Sequence, residues 1–574
     1  MDREKTLSDG DSLPTVNSFP IDKSQNSQWR SGRRKVLDGR WKRIANSITV
    51  SVIVYLIIVI VFNLYRQWCE PLSQSEIEKR ILESPTPEYL KSQSFTYTSG
   101  AHLAGKNQTQ ATYTRDLWES YGIQTEIEEY QVLLNYPLSH RLALFINNND
   151  SLQYEAELRE DVIPEDATSA NPDEVPTFHG YSANGNVTGE LVYANFGRID
   201  DFRILDKMGV NVSGKVVIMR YGTIFRGLQV KAAQGITHSK FESVFDETEY
   251  GAIGAILYSD PHEDRDLANA TQYPNGPGRH PSAVQRGTVL FLSKLPGDPS
   301  TPGFASKPGV NRTDPKEYIP SIPSLPISFR DALPFLKSLN GGKLCGFAVG
   351  ENWAGSLTGV EYCVQNSDTR PTVNLLNQVQ FLLTPIYNII GRIPGAMPEE
   401  IILGNHRDAW VYGAGDPISG SAPMNAVASA FGRLVKRGWK PHRTLVFASW
   451  DAEEYGLVGS TEWVEDHATH LTKNTLAYLN VDIGAVGDRL NIQASPLLND
   501  VLIQVTKDVI TESGSSVYDV WKNTSHGHPV VGALGSGSDY TGFLQLLGIA
   551  SSHMGFASAN AVYQCTWDHL LSLT

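Results

Sequence analysis

Three short apolar runs in the second half of the chain predict buried parallel strands. The runs occupy residues 401–403, 445–448 and 476–481. Each is too short for a helix, and an apolar run without polar alternation is typical of a strand covered on both faces. A residue that can bind a metal follows each run, namely His406, Glu454 and Asp482. Sites in open α/β sheets form at the carboxyl ends of strands, so we expect these side chains to meet.

The domain organisation is inferred from a change in composition and hydrophobic pattern along the chain. From about residue 371, apolar strands alternate with helical stretches, which predicts an α/β domain with a doubly wound sheet. Residues 176–354 instead contain short β-like runs (190–193, 215–221 and 254–258) between Pro and Gly turns. We interpret 176–354 as a β-rich domain inserted into the first, which leaves 86–175 and 355–574 as one discontinuous domain.

Residues 44–65 are long and apolar enough to form one transmembrane helix, since 22 consecutive positions carry no charge. A signal peptide is the competing interpretation, but the run begins late and ends without a small-residue cleavage site. Residues 1–43 are polar and predict a disordered cytosolic tail. Basic residues crowd that side of the span, at Arg30, Arg33, Arg34, Lys35, Arg40, Lys42 and Arg43. The positive-inside rule therefore predicts a single-pass type II membrane protein.

Glycosylation sequons agree with that orientation, because all of them follow the predicted span. They lie at Asn107, Asn149, Asn186, Asn211, Asn269, Asn311 and Asn523. We expect the bulk of the chain to be luminal or extracellular, in the secretory pathway, the vacuole or at the cell surface. The four cysteines are too few for a disulfide scaffold and lack the spacing of a thiolate zinc site. Two interpretations of Cys69 stay open, namely an interchain disulfide and a free thiol.

Composition argues against only one class of function, general nucleic-acid binding. With 574 residues, 41% hydrophobic and 19% charged, the chain is an ordinary globular protein of more than one domain. A net charge of −14 argues against a general nucleic-acid binder. Net charge says nothing about the chemistry of a site.

The acidic and imidazole residues suit a hydrolase with two metal ions, which activates water and clamps a scissile carbonyl. Asp416 follows His406 by ten residues in a Gly-rich turn, and its two oxygens can bind different ions. His406 and Asp482 would complete one ion and Glu454 would serve the other, a donor set that suits zinc. The adjacent Glu453 points elsewhere and is the candidate general base.

Other interpretations of these residue types point to structural roles or to weaker candidate sites. Any single carboxylate of this kind is more often a cap or a solvated group. His526 and His528 lie in a polar loop without a nearby carboxylate, and Ser536 lacks the spacing of a nucleophile elbow. Arg407 and Asp408 fit a structural ion pair.

Over residues 76–556 the chain resembles the glutamate carboxypeptidase and transferrin receptor family of type II membrane proteins, within the co-catalytic zinc peptidases. The motifs that carry the resemblance are His102 to Gly105, Arg220 to Gly222, His406 to Asp408, Asp416 to Gly420, Trp450 to Glu454, Gly459 to Trp463, Asp482, and Leu534 to Asp539. The resemblance implies a peptide substrate, a zinc peptidase domain for the discontinuous part and a protease-associated domain for the insert.

The resemblance also assigns roles. It implies two zinc ions, one held by His406, Asp416 and Asp482 and the other by Asp416 and Glu454, with Glu453 as base. It implies that Arg198 binds the terminal carboxylate of the substrate and that Tyr563 stabilises the oxyanion. A structural calcium ion is implied near Thr301, Phe304, Glu462 and Glu465.

The chain departs from the family at several places. Residues 235–248 form an extra segment, and Gln564 stands where the family has a zinc-binding His, with Cys565 or His569 as substitutes in a shifted register. The resemblance implies a helical C-terminal domain through which relatives homodimerise, and we expect this chain to lack it. Asn491, His553 and Gly555 replace the arginines that recognise acidic side chains.

Two functions are consistent with these residues. The first is a membrane-anchored zinc exopeptidase, carboxypeptidase-like and without a preference for poly-acidic peptides. The alternative is a catalytically impaired, receptor-like or sorting-related membrane protein.

Overall fold

The computed structural model describes residues 26–69, 72–146, 151–165, 167–171, 175–235 and 250–557. Some predictions fall outside these residues, namely those on Tyr563, Gln564, Cys565, His569, Asn149 and nearly all of the segment 235–248. The described chain forms two units, residues 1–72 and residues 73–574.

The first unit contains one long helix, α1 (Asn26–Cys69). Its segment Gly39–Asn63 has a mean hydropathy of 2.6, and by length and composition it could cross a membrane. Among the described residues it is the one helix with that property. The helix begins at Asn26, inside the stretch for which a disordered tail was expected. Arg, Lys and Leu have high helix propensity, so a helix nucleated in the apolar span can extend into this basic segment.

The second unit is an α/β structure, as predicted. Its helices are α2 (Gln74–Leu82), α3 (Pro87–Tyr97), α4 (Gln108–Tyr121), α5 (Ile199–Lys207), α6 (Arg226–Gln234), α7 (Phe329–Ser338), α8 (Ser419–Lys436), α9 (Val458–Asn474), α10 (Asn499–Asp508) and α11 (Val517–Thr524). Its strands are β1 (Gln124–Ile146), β2 (Ser151–Glu155), β3 (Gly185–Tyr193), β4 (Val216–Arg220), β5 (Gly254–Tyr258), β6 (Ser324–Ile327), β7 (Thr372–Ile393), β8 (Met397–His406), β9 (Arg443–Trp450), β10 (Thr475–Asn480), β11 (Arg489–Ala494) and β12 (Ser551–Ala557).

The strands form one mixed sheet in the order β11-β12-β10-β8-β9-β7-β3-β4-β5-β6, with β1 on β7 and β2 on β1. The three apolar runs at 401–403, 445–448 and 476–481 are confirmed as parts of β8, β9 and β10, which are parallel neighbours. Strands β1 and β7 are long and antiparallel, and β11 is antiparallel to β12. The doubly wound arrangement therefore holds for the central strands only.

The inserted stretch is itself α/β. Strands β3 to β6 are mutually parallel, and α5, α6 and α7 follow β3, β4 and β6. Every residue of β4 and β5 is buried, as expected for parallel strands covered on both faces. These strands share a hydrophobic cluster separate from the one around β8, β9 and β10. That cluster also includes residues outside 176–354, such as Leu142, Leu158 and Val373, and the predicted domain boundaries stay a prediction.

A cluster rich in aromatic side chains packs against β9 and β10. The rings of Trp450 and Trp463 lie 5.3 Å apart, and Tyr478 stacks on Phe543 at 4.1 Å. Trp450 Nε1 also donates to the Tyr478 hydroxyl at 2.9 Å. Large rings with satisfied polar atoms form a rigid base for the turns that follow both strands.

Two of the four cysteines are paired, although no disulfide was predicted. Cys345 and Cys363 form a disulfide and also face each other in an isolated β-bridge. The chain reversal that joins them could not be inferred from the spacing of the cysteines. Disulfides persist in oxidising compartments, which agrees with the predicted luminal placement.

The described sequon residues are accessible to different degrees. Asn186, Asn211, Asn269, Asn311 and Asn523 are exposed. Asn107 is half-buried, and its side chain accepts a hydrogen bond from the Gln110 N–H at 3.0 Å, which caps α4. Glycosylation of these residues stays a prediction.

Helices α4 and α8 approach each other closely at a glycine of α8. A Cβ added at Gly432 would lie 2.5 Å from the Tyr121 carbonyl oxygen. Replacing glycine with alanine inside a helix normally stabilises it by about 1 kcal/mol. Here we expect the clash to win, so that Gly432→Ala lowers the free energy of unfolding by about 1–3 kcal/mol in urea titrations. Gly100→Ala is the control, since nothing lies within 4 Å of its added Cβ. Equal stability of the two variants would contradict the close approach.

Candidate active site and metal centre

The three predicted ligand positions meet where the parallel strands end. His406 is the last residue of β8, and Asp482 lies two residues beyond the end of β10. Glu453 and Glu454 occupy the turn after β9. Because β10, β8 and β9 are adjacent and parallel, their carboxyl ends share one edge of the sheet.

The distances within this cluster fit a metal ion. His406 Nε2 lies 3.1 Å from an Asp482 oxygen and 3.3 Å from an Asp416 oxygen. Zinc–ligand distances of about 2.0–2.2 Å place the donors of a tetrahedral shell about 3.3–3.6 Å apart. His406 Nε2 is therefore within reach of an ion shared with either carboxylate. Ligand atoms of His406, Glu453 and Asp482 all lie within 4.8 Å of one another, so these three side chains could also hold a metal ion. Glu453 is 3.7 Å from the same His406 nitrogen.

The second nitrogen of His406 faces the Asp408 carbonyl oxygen at 3.0 Å. A hydrogen bond there fixes the tautomer that presents Nε2 to the cluster. The Asp408 carboxylate accepts the N–H groups of Glu453 at 3.0 Å and of Glu454 at 3.3 Å. One carboxylate thus holds the turn that carries both glutamates.

Arg407 and Asp408 do not form the ion pair that the sequence suggested. Arg407 instead pairs with Asp451 at 3.3 Å and donates to the Ser449 carbonyl oxygen at 2.9 Å. Neighbouring side chains at the end of a strand point in different directions, so the two residues serve different partners.

Asp482 is oriented by a chain of hydrogen bonds. The Ser538 hydroxyl donates to one Asp482 oxygen, and Asn480 Nδ2 donates to Ser538 at 2.9 Å. The Tyr478 hydroxyl donates to Asn480 Oδ1 at 2.9 Å. Sequence reasoning weighed Ser536 of the same Gly-Ser-Gly-Ser-Asp stretch and missed Ser538, because a hydroxyl that orients a ligand has no motif of its own.

Asp416 reaches the cluster because α8 approaches the sheet closely. A Cβ added at Gly420 would lie 2.2 Å from the Asp482 carbonyl oxygen, so only glycine fits there. Ser421 donates to the His406 carbonyl oxygen at 2.8 Å, and Asn405 Nδ2 donates to the Pro417 carbonyl oxygen at 3.2 Å. These contacts fix the turn that carries Asp416 beside His406.

Electrostatics in the cluster favours bound cations. Burial opposes a charge on His406, but the carboxylates of Glu453 and Asp482 outweigh it and raise the His406 pKa well above its usual value. Burial likewise opposes ionisation of Asp482, yet His406 and Ser538 lower its pKa to about 2. Burial raises the pKa of Glu453 and Glu454, and nearby carboxylates add to the effect. A buried excess of carboxylates over one imidazole is costly unless cations neutralise it.

The cluster forms one wall of a cleft of about 480 Å³. Asp416, Glu453, Glu454 and Asp482 line it, together with residues of the inserted stretch. Arg226, Gln493, Tyr540 and His553 also line the cleft.

Arg198, predicted to bind the substrate's terminal carboxylate, is not among the residues that line this cleft. It donates to both oxygens of Asp201, at 2.8 and 2.9 Å, at the start of α5. An arginine followed three residues later by an aspartate at a helix start is a local ion pair. Arg226, at the start of α6, lines the cleft instead. A Cβ added at Gly287 would lie 2.1 Å from Arg226 Nη1, so the guanidinium packs directly on this glycine.

The residues of the predicted calcium site are close in space, although calcium itself stays a prediction. Glu462 accepts the N–H groups of Asp298 at 2.9 Å and Ser306 at 2.6 Å. Burial raises the pKa of Glu462 and brings that of Glu465 to about 8. The Thr301 hydroxyl contacts the Ser306 hydroxyl at 2.6 Å, and the Phe304 side chain is 40% exposed.

Other groups of metal-binding residue types have different partners. In a cluster of Glu128, Asp466 and His467, the Lys307 ammonium lies 2.5 Å from Asp466 and already supplies a cation. Glu361 lies beside Cys345 and Cys363, which form the disulfide. His526 and His528 are exposed and belong to no such group in the described chain.

Known proteins match the sequence and the fold of this chain. Residues 388–571 match the description Peptidase family M28. The "Probable glutamate carboxypeptidase" of Arthroderma benhamiae is 45% identical over 491 residues, which cover 84% of this chain and 65% of that protein. The "Vacuolar protein sorting-associated protein 70" of Saccharomyces cerevisiae is 34% identical over 510 residues, covering 86% and 59%. The crystal structure of a Peptidase M28 precursor from Shewanella amazonensis superposes with a TM-score of 0.51 at 15% identity, over 87% and 92%.

The likeness to the solved structure shows an α/β peptidase fold. The chain belongs to peptidase family M28, among relatives named glutamate carboxypeptidase. It spans 65% and 59% of the length of the two relatives just described.

The turn held by Asp408 can be tested by Asp408→Asn, which replaces one of its two acceptor oxygens with an NH₂ group. One of the Glu453 and Glu454 N–H groups then loses its acceptor, and we expect zinc affinity to fall about 10–100-fold.

Asp331→Asn is the matched control. Asp331 is also buried and accepts two successive N–H groups, those of Glu157 and Leu158, at 3.1 and 3.2 Å. It should lose stability and keep zinc affinity, as measured by chelator competition. Unchanged zinc affinity in Asp408→Asn would show that the turn does not depend on this carboxylate.

Proposed function

We propose that this protein is a membrane-anchored zinc exopeptidase that removes residues from the carboxyl end of peptides. The observation that carries the proposal is the convergence of His406, Asp416 and Asp482 beside Glu453, in a cleft that also contains Arg226. A metal cluster alone supports hydrolysis, and a guanidinium in the same cleft supports recognition of an anionic end.

The donor set fits zinc, and we assign His406, Asp416 and Asp482 to one ion and Asp416 and Glu454 to the other. The strongest like-charge neighbour of Glu454 is Asp416, in keeping with a shared ion. Zinc supplies Lewis acidity, which polarises a carbonyl oxygen and makes water more acidic. The protein side chains orient the peptide, exclude bulk water and move the proton.

Glu453 is the general base in this proposal. Its carboxylate lines the cleft, and its backbone is fixed by Asp408. It would accept the proton of the attacking water and pass it to the leaving amine, as a positioned carboxylate does in acid–base catalysis.

Arg226 is the proposed anchor for the terminal carboxylate of the substrate. A planar guanidinium binds a carboxylate through two parallel hydrogen bonds. Of the described residues that line the cleft, Arg226 alone has an arginine or lysine side chain. One such cation suits a substrate with one anionic group at that position.

The remaining lining residues suggest tolerance of neutral side chains. Gln493, Tyr540 and His553 line the cleft with Asp482, and burial lowers the pKa of His553, which favours its neutral form. Neutral hydrogen-bonding groups offer no charge complement to an acidic residue before the scissile bond. We therefore infer a preference for neutral over poly-acidic peptides.

We also infer type II anchoring through α1, with the peptidase unit luminal or extracellular. The apolar span, the basic residues before it, the disulfide and the exposed sequons all support this orientation. The receptor-like alternative has less support, because the described site retains the base and all four assigned ligands.

Glu453→Gln separates catalysis from metal binding. We expect kcat to fall about 10²–10⁴-fold while zinc content, measured by atomic emission, stays at the wild-type level. Glu454→Gln is the comparison and should lose zinc as well as activity. A Glu453→Gln enzyme with wild-type turnover would remove Glu453 from the mechanism.

Arg226→Ala should raise KM roughly 10–100-fold for peptides with a free carboxyl terminus, since a charge-assisted hydrogen bond contributes about 1.5–3 kcal/mol. Arg198→Ala is the control and should leave KM unchanged. N-acetylated and C-amidated peptides complete the test, because a carboxypeptidase cleaves the former and an aminopeptidase the latter. Cleavage of amidated peptides alone would reverse the proposed direction of attack.

A further inference from the structure

His102 is a buried residue that the proposed mechanism does not use. It belongs to the His102–Gly105 motif and precedes α4 by sequence, and it is 1% exposed. Both of its ring nitrogens face backbone carbonyl oxygens. Nδ1 lies 2.5 Å from the Arg407 oxygen, and Nε2 lies 2.7 Å from the Tyr412 oxygen.

The backbone of His102 binds the same segment. Its N–H donates to the Val411 carbonyl oxygen at 3.2 Å, and its carbonyl oxygen accepts the Ala409 N–H at 3.1 Å. One residue therefore makes four polar contacts with residues 407–412. That segment begins directly after His406 and leads to Asp416.

The packing around the imidazole leaves little room for adjustment. A Cβ added at Gly413 would lie 3.3 Å from His102 Cε1 and 2.5 Å from the Asp416 carbonyl oxygen. The segment that joins the two ligands is thus confined between the His102 ring on one side and its own turn on the other.

We propose that His102 is a positioning residue for the metal centre, which holds residues 407–412 so that His406 and Asp416 reach one ion. The rigid ring lies between the two carbonyl groups and, as a neutral imidazole, donates from one nitrogen to one of them. A glutamine at this position has a flexible chain and does not reproduce the position of the ring. Groups that orient metal ligands without touching the metal commonly change affinity 10–100-fold.

This inference rests on the ligands assigned under the proposed function, and zinc binding by the wild-type protein tests that assignment first. The full-length protein is titrated with zinc against a chelator, and cobalt substitution reports the geometry of the site through its visible spectrum. We expect His102→Gln to weaken zinc binding about 10–100-fold and to alter the cobalt spectrum.

His179→Gln is the matched control. His179 is also fully buried and has polar contacts at both ring nitrogens, to Ser324 at 2.9 Å and to Tyr221 at 2.8 Å. It should lose thermal stability and keep zinc affinity. If His102→Gln behaves like His179→Gln, with lower stability and wild-type zinc affinity, His102 has a purely structural role and the inference is wrong.

A measurement on the wild-type protein covers the case in which His102→Gln does not fold. Hydrogen exchange with and without zinc should show peptides that contain residue 102 and residues 407–412 gaining protection together. Protection of 407–412 without residue 102 would overturn the inference. Absence of zinc binding by the wild-type protein would instead overturn the proposed function.

Discussion

The carboxylates of Asp416, Glu453, Glu454 and Asp482 are packed with a single imidazole at the carboxyl edge of β8, β9 and β10. Each group is nearly out of contact with water, and mutual repulsion among buried anions costs several kcal/mol unless cations compensate. The surrounding structure orients these side chains, and burial raises the pKa of Glu453 and Glu454, so that without cations their neutral forms are favoured. Metal binding is therefore the interaction to which the rest of the site is adapted.

The positions of the site's side chains depend on the backbone more than on the identity of neighbouring side chains. Two of the ligand positions follow from strands that end at one edge, and Asp416 follows from the close approach of α8 at Gly420. The turn after β9 is fixed because Asp408 accepts successive N–H groups. A cluster held by backbone hydrogen bonds keeps its spacing when the metal leaves, which lowers the ordering cost of binding.

Much of the fold around the site could be predicted from the sequence, because the patterns that predict it lie within short stretches of the chain. Apolar runs bounded by polar residues predict β8, β9 and β10, and the rule for parallel sheets then predicts where His406 and Asp482 meet. A strand at 127–135 is predicted from the sequence and lies within β1, but its antiparallel pairing with β7 could not be predicted, because that pairing joins residues more than 200 positions apart, such as Leu133 and Leu383. The disulfide of Cys345 and Cys363 could not be predicted for a related reason, since the spacing of cysteines alone does not specify a chain reversal.

Arg198 and Arg226 illustrate the remaining limit, because the resemblance implies a substrate-binding role for Arg198 while Arg226 is the arginine that lines the cleft. Both arginines begin a helix of the inserted stretch, and no local pattern says which helix faces the cleft. Asp201 engages Arg198 locally, whereas Arg226 packs on Gly287, a residue about 60 positions later in the chain. In the proposed function, substrate recognition would therefore depend on how β3 to β6 and their helices lie against the sheet, and water activation on the carboxyl edge of β8, β9 and β10. Insertions of this kind can change which substrates enter without altering the residues that hold the metal.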